Sequence, residues 1–280
     1  MDKVKILGVS IDNLLLTELL ARLTQGVVFT PNVDHLVKLQ NDKDFIEAYK
    51  TADYKLCDSK IICYAANFLG TPVREKISGS DLFPAFYNYH KENAAVKIFL
   101  LGANTGIAKI AQEKINTKVG REIIIEAHSP SYGFEKKQQE CEQIINIINA
   151  SGATVLAMGA GSPKQEIWIA KYKERMPNIK IFLAIGATID FEAGKIKRCP
   201  KWISNLGVEW LYRLLLEPTR LWKRYLVDDL PFLLLVLQQK LNLYRSPTRP
   251  EDVDESVAAP QIECVMMAEG DRYPTNATNI

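Results

Sequence analysis

Residues 153–168 read Ala-Thr-Val-Leu-Ala-Met-Gly-Ala-Gly-Ser-Pro-Lys-Gln-Glu-Ile-Trp. The apolar run 153–158 has no polar alternation, which predicts a strand buried on both faces. It stops at Gly159-Ala160-Gly161, and Pro163 suits the first turn of a following helix. The same unit stands upstream, where the run 96–101 ends in Gly102-Ala103-Asn104-Thr105-Gly106 before a helical pattern at 107–117. Working outward, residues 4–9, 27–29, 54–57, 122–126 and 179–185 also read as buried strands. Segments 14–23, 45–51 and 136–150 carry apolar residues at helical spacing. This alternation predicts a doubly wound, mostly parallel α/β sheet with helices on both faces. Ligands of such sheets bind at the carboxyl ends of the strands.

Those ends carry polar and small residues: Thr30-Pro31-Asn32, Asp58-Ser59, the two glycine loops, and Gly186-Ala187-Thr188-Ile189-Asp190. From Lys195 the pattern changes to long helical segments rich in Lys, Arg, Trp and Leu, and beyond Arg245 periodicity stops. The expected organisation is an α/β catalytic domain over 1–194, a basic helical appendage over 195–245 and a disordered acidic tail over 246–280. Removing the appendage is expected to leave the α/β body folded.

The 280 residues are 47% apolar and 24% charged, an ordinary globular balance. The formal charge of +2 hides an asymmetry, since residues 195–224 alone carry a net +6 and residues 246–280 a net −5. Surplus positive charge beside Trp202, Trp210 and Trp222 suits a helix lying on anionic lipid, although a core-packed helix with a solvated basic face reads the same way. No nucleic-acid module accompanies the basic stretch, so nucleic acid is not expected as a partner. Five scattered cysteines make neither a disulfide framework nor a zinc site and suit a reducing cytoplasm. No apolar run approaches the about 20 residues of a spanning helix.

Backbone N–H groups at a helix N-terminus favour anions, so Gly102, Asn104, Gly106, Gly159 and Gly161 are phosphate candidates as well as plain turn residues. Neither loop is a dinucleotide or Walker motif. Asp58 is either a helix N-cap or a general base at the cleft edge. Asp42-Lys43-Asp44 precedes an amphipathic helix and reads as a cap, not as a metal-binding pair.

The ordered landmarks Thr30-Pro31-Asn32, Gly79-Ser80-Asp81, Gly161 to Glu166, Gly186 to Phe191, Lys197-Arg198-Cys199-Pro200, Glu209 to Leu214 and Glu217-Pro218 followed by Arg220 resemble the WecG/TagA/CpsF family of bacterial glycosyltransferases over about residues 5–240. The resemblance implies an inverting transferase, independent of metal and cofactor, that moves a sugar from UDP onto a polyprenyl-diphosphate-linked acceptor at the cytoplasmic membrane face. Asp58 then matches the acceptor-activating base, with Ser59 where the family usually has Gly. Thr30 and Asn32 match the residues lining the pocket beside it. Gln165 and Glu166 match the segment near the nucleotide, where Asp190 is also expected. Lys76 stands where Arg is frequent, and Arg213, Arg220, Lys223 and Arg224 match the basic appendage that closes over the site. Self-association into a homo-oligomer is compatible with the sequence. Two rivals stay open: a nicotinamide-dependent sugar-nucleotide oxidoreductase, and a membrane-tethered scaffold without activity.

Overall fold

Residues 2–246 are described in the computed structural model, apart from the side chains of Lys201, Asn205 and Arg220. From residue 247 onward the expected tail lies outside the described residues. The chain begins with a departure from expectation. Residues 4–9 are not a strand of the main sheet but fold back as a hairpin, β1 (Lys3–Ile6) against β2 (Val9–Asp12). The cause is the turn. Leu7 and Gly8 take positive φ values of 48° and 80°, the geometry that reverses a chain between two short arms.

After α1 (Leu16–Arg22) the sheet proper begins. Its strands are β3 (Gly26–Phe29), β4 (Tyr54–Lys55), β5 (Ile98–Gly102), β6 (Ile124–His128), β7 (Val155–Gly159) and β8 (Ile181–Ala184). They lie in the order β4-β3-β8-β7-β5-β6, and every neighbouring pair is parallel. Alternate residues of β5 feed two separate cores, Phe99 and Leu101 into one and Ile98 and Leu100 into the other. A strand buried on both faces has no room for polar residues, which is why these runs are continuously apolar.

The helices complete the two layers. Between β3 and β4 lie α2 (Val33–Lys38) and α3 (Lys43–Lys50), and α4 (Lys60–Leu69) and α5 (Gly79–Tyr89) precede β5. Then come α6 (Ile107–Val119), α7 (Gln138–Ser151), α8 (Lys164–Tyr172) and α9 (Thr188–Glu192), the last closing the α/β body. Asp42 caps α3 by accepting from the Phe45 N–H, as its position before an amphipathic helix implied. The basic segment forms α10 (Lys201–Asn205), α11 (Glu209–Leu216), α12 (Pro218–Lys223), a π-helical turn (Arg224–Asp228) and α13 (Pro231–Lys240).

The last helix returns to the body. Phe232 and Val236 are buried in the same core as Leu36 and Cys63. Beyond them the Gln239 side chain accepts from Leu7 N at 2.7 Å and donates to Lys5 O at 3.0 Å, clamping the hairpin. A cut before Val208 would therefore remove core residues, and the α/β body is not expected to survive that truncation intact.

Candidate active site

The Asp58 environment follows from two local decisions of the chain. Just past β4 the Leu56 N–H still donates to Phe29 O, and the Asp58 N–H donates to Pro31 O at 2.9 Å. The cap of α4 then goes to Ser59, whose hydroxyl accepts from the Ile61 N–H at 3.2 Å. Asp58 is thus relieved of capping, and Ser59 sits in extended backbone (φ −160°) that needs no glycine. On the adjacent strand Thr30 is buried just past β3, and Asn32 caps α2 through the His35 N–H.

Asp58 and Asn32 share a cavity of about 280 Å³ with Lys76, Glu209, Trp210, Arg213, Arg224 and Tyr225. The α/β body supplies one wall, α11 and the π-helical turn the other. Lys76 donates to Asp81 Oδ2 at 2.9 Å, and the Ser78 hydroxyl donates to the same oxygen at 2.6 Å. Arg198 pairs with the other Asp81 oxygen. Against the opposing effect of burial, Lys76 and these hydrogen bonds hold the Asp81 carboxyl well below the usual carboxylate range. Gly79, beside it, lets α5 meet the Ile185 backbone, where an added Cβ would come within 3.0 Å of the Ile185 carbonyl oxygen.

Burial pushes Asp58 up to about 8, and Lys76 and Arg213 offset part of the rise, while Glu209 and Asp81 add to it. For a carboxyl raised in the folded state the sign is clear: the folded chain holds a proton that the unfolded chain has lost. The associated stability is full below about pH 4 and is lost as pH rises towards 8. Chemically, a carboxylate that ionises near 8 is a stronger base than an ordinary aspartate. Lys76 is itself raised, because the charges of Asp58 and Asp81 outweigh its burial.

The remaining expected residues are spread along the same edge. Gly102 and Gly159 end β5 and β7, where their backbones touch: a Cβ on Gly102 would stand 2.4 Å from Gly159 O. These two glycines are required by strand packing. Asn104, Gly106 and Gly161 are exposed in the turns that follow, and Asp190 is half-buried in α9 after β8. None of these lines the Asp58 cavity. Gln165 is buried and accepts from the Gly186 N–H at 3.2 Å, tying α8 to the end of β8. Glu166 is fully buried, with Gln165 donating to its Oε1 and, among the described residues, no hydrogen-bond partner for Oε2; burial lifts it to about 7. It faces the interior, where its charge, after burial itself, helps raise the Tyr49 phenol.

Within the appendage, Arg213 and Arg224 reach the cavity, whereas Lys223 is exposed and away from it. The Arg220 side chain lies outside the described residues. Sequence reasoning passed over Asp34, Glu209 and Asp229, all of which line the cavity. Glu209 accepts from the Ser204 hydroxyl at 2.9 Å, and burial raises Asp229 to about 6. An acidic residue in the first turn of a helix, as Asp34 is in α2, reads as a dipole partner until its distant cation is known. Among the described residues no three His, Cys, Asp or Glu side chains gather as a metal-binding group.

The carboxyl edge of this parallel sheet, where ligands of α/β proteins bind, thus holds Asp58 among lysine and arginine side chains. The chain belongs to the WecG/TagA/CpsF family of glycosyl transferases, whose family model matches residues 4–246.

Proposed function

We propose that this glycosyltransferase is inverting and metal-independent, and transfers a sugar from a UDP-sugar to a polyprenyl-diphosphate-linked acceptor at the cytoplasmic face of the membrane. The observation that carries the reading is the Asp58 pocket, where Lys76, Arg213 and Arg224 stand among the carboxyl groups of Asp34, Asp58, Glu209 and Asp229. In the proposed step Asp58 takes the proton of the acceptor hydroxyl, and that oxygen bonds to the anomeric carbon from the face opposite UDP. The bond to the UDP oxygen breaks, and its electron pair leaves with the diphosphate. Lys76, Arg213 and Arg224 are the cations assigned here to meet the growing charge, and such preorganised donors do the most for a transition state in an enclosed site. Arg220 and the turn residues Asn104, Gly106 and Gly161 are proposed on the donor side, with Gln165 and Asp190 beside them. Lys223, exposed on the outer face, is reassigned to the membrane surface.

The membrane part of the reading rests on the apolar side chains that the appendage leaves exposed. Trp202, Leu206, Leu215, Trp222, Leu226 and Leu234 are all exposed there. Exposed Trp and Leu side chains beside Lys and Arg are what a helix lying on a lipid surface presents. Among the described residues no helix is long and apolar enough to cross a membrane, so the proposed association is peripheral. The test is UDP release from a panel of UDP-sugars with a short-chain lipid-diphosphate acceptor. Release is expected only with both substrates present, and to persist in excess EDTA. Release abolished by EDTA and restored by magnesium or manganese would contradict the assignment of charge neutralisation to Lys76 and the arginines.

A further inference from the structure

Asp34 lies in the first turn of α2 and is 3% exposed, yet its Oδ2 meets two cations: Lys38 Nζ at 2.8 Å and Arg224 Nη2 at 3.3 Å. Arg224 comes from the appendage, 190 residues further along the chain. The same Nη2 donates to Asn32 Oδ1 at 3.3 Å, and that oxygen also accepts from the His35 N–H at 3.2 Å. Both neighbours of this end of the Asn32 amide are donors, so only the carbonyl oxygen fits there. The Nδ2 group is thereby turned to the other side, and Asn32 lines the cavity that holds Asp58.

We propose that Asp34 is a positioning residue: it seats Arg224 against α2 and so fixes the Asn32 amide with its N–H donor towards the acceptor pocket. This rests on the transferase reading and deepens it, because the pocket then offers an acceptor hydroxyl one proton acceptor, Asp58, and one hydrogen-bond donor, Asn32 Nδ2. The same contacts couple the chemistry to appendage docking. Arg224 can hold Asn32 only while the π-helical turn lies on α2, so the donor is set when the site is covered.

A merely structural Asp34 would act alike whatever stands at position 32, which gives the test. Asn32→Ser keeps a capping hydroxyl but removes the amide. In the full-length chain Asp34→Asn is expected to lower kcat for UDP release about 10–100-fold, the scale of a misplaced active-site group, with Asp34→Glu recovering part of the loss. In the Asn32→Ser background the same Asp34→Asn change is expected to cost less than about 3-fold, since residues acting as one unit are not additive. An equal cost in both backgrounds overturns the proposal. The docking half has its own readout: trypsin should cut after Lys223 or Arg224 faster in Asp34→Asn than in the unchanged chain, whether or not any sugar is transferred. Unchanged cleavage overturns it. Absence of acceptor-dependent UDP release from the unchanged chain would instead count against the transferase reading.

Discussion

Asp58→Asn is expected to lower turnover by about 10²–10⁴-fold, the range over which a positioned general base acts. The structure makes this a clean substitution. Ser59 supplies the α4 cap, so the carboxamide costs no helix start. Lys76 keeps its 2.9 Å partner in Asp81, so the neighbouring cation stays in place. Donor binding should therefore change little, which calorimetry with UDP can check alongside UDP-release kinetics. Turnover within a few-fold of normal would remove Asp58 from the mechanism.

The second large effect is on the fold. Phe232 is 2% exposed, shares the core with Leu36 and Cys63, and also lines the cavity. Phe232→Ala should cost about 3–5 kcal/mol, the usual range for deleting a buried phenylalanine side chain, and lower activity by loosening the wall over Asp58. Leu234, two residues on, is 64% exposed. Leu234→Glu should leave the unfolding midpoint nearly unchanged and weaken co-sedimentation with anionic liposomes. Denaturant melts of both variants separate the two roles of α13. A Phe232→Ala protein as stable as the unchanged chain would mean that the helix is not anchored through this ring.

The parallel sheet is legible in the sequence because strands covered on both faces admit only apolar residues, as in 96–101 and 153–158, and because each is followed by a glycine turn and a helix. The N-terminal hairpin is not legible, since Leu7 in a left-handed conformation carries no compositional signal, unlike the usual Asn-Gly or Gly-Gly turn. Asp58, Thr30 and Asn32 can be found from strand ends. Which of two adjacent residues caps α4 cannot, because Asp58 and Ser59 are both good capping types and only the backbone path chooses between them. Glu166 is legible as a first-turn glutamate at the cleft edge, but its complete burial is set by how α8 packs, not by any local pattern. The pairing of Asp34 with Arg224 depends on tertiary docking, which no local pattern encodes.

The most direct test of the account is the pH dependence of kcat/KM for acceptor-dependent UDP release, compared between the unchanged chain and Lys76→Met. A base raised to about 8 by burial, and held down in part by Lys76, should give activity that increases with pH through about 8. Removing the lysine charge should move that limb to higher pH. An acid limb near pH 4, or one that does not move in Lys76→Met, would contradict the assignment of a buried, lysine-tuned Asp58 as the base.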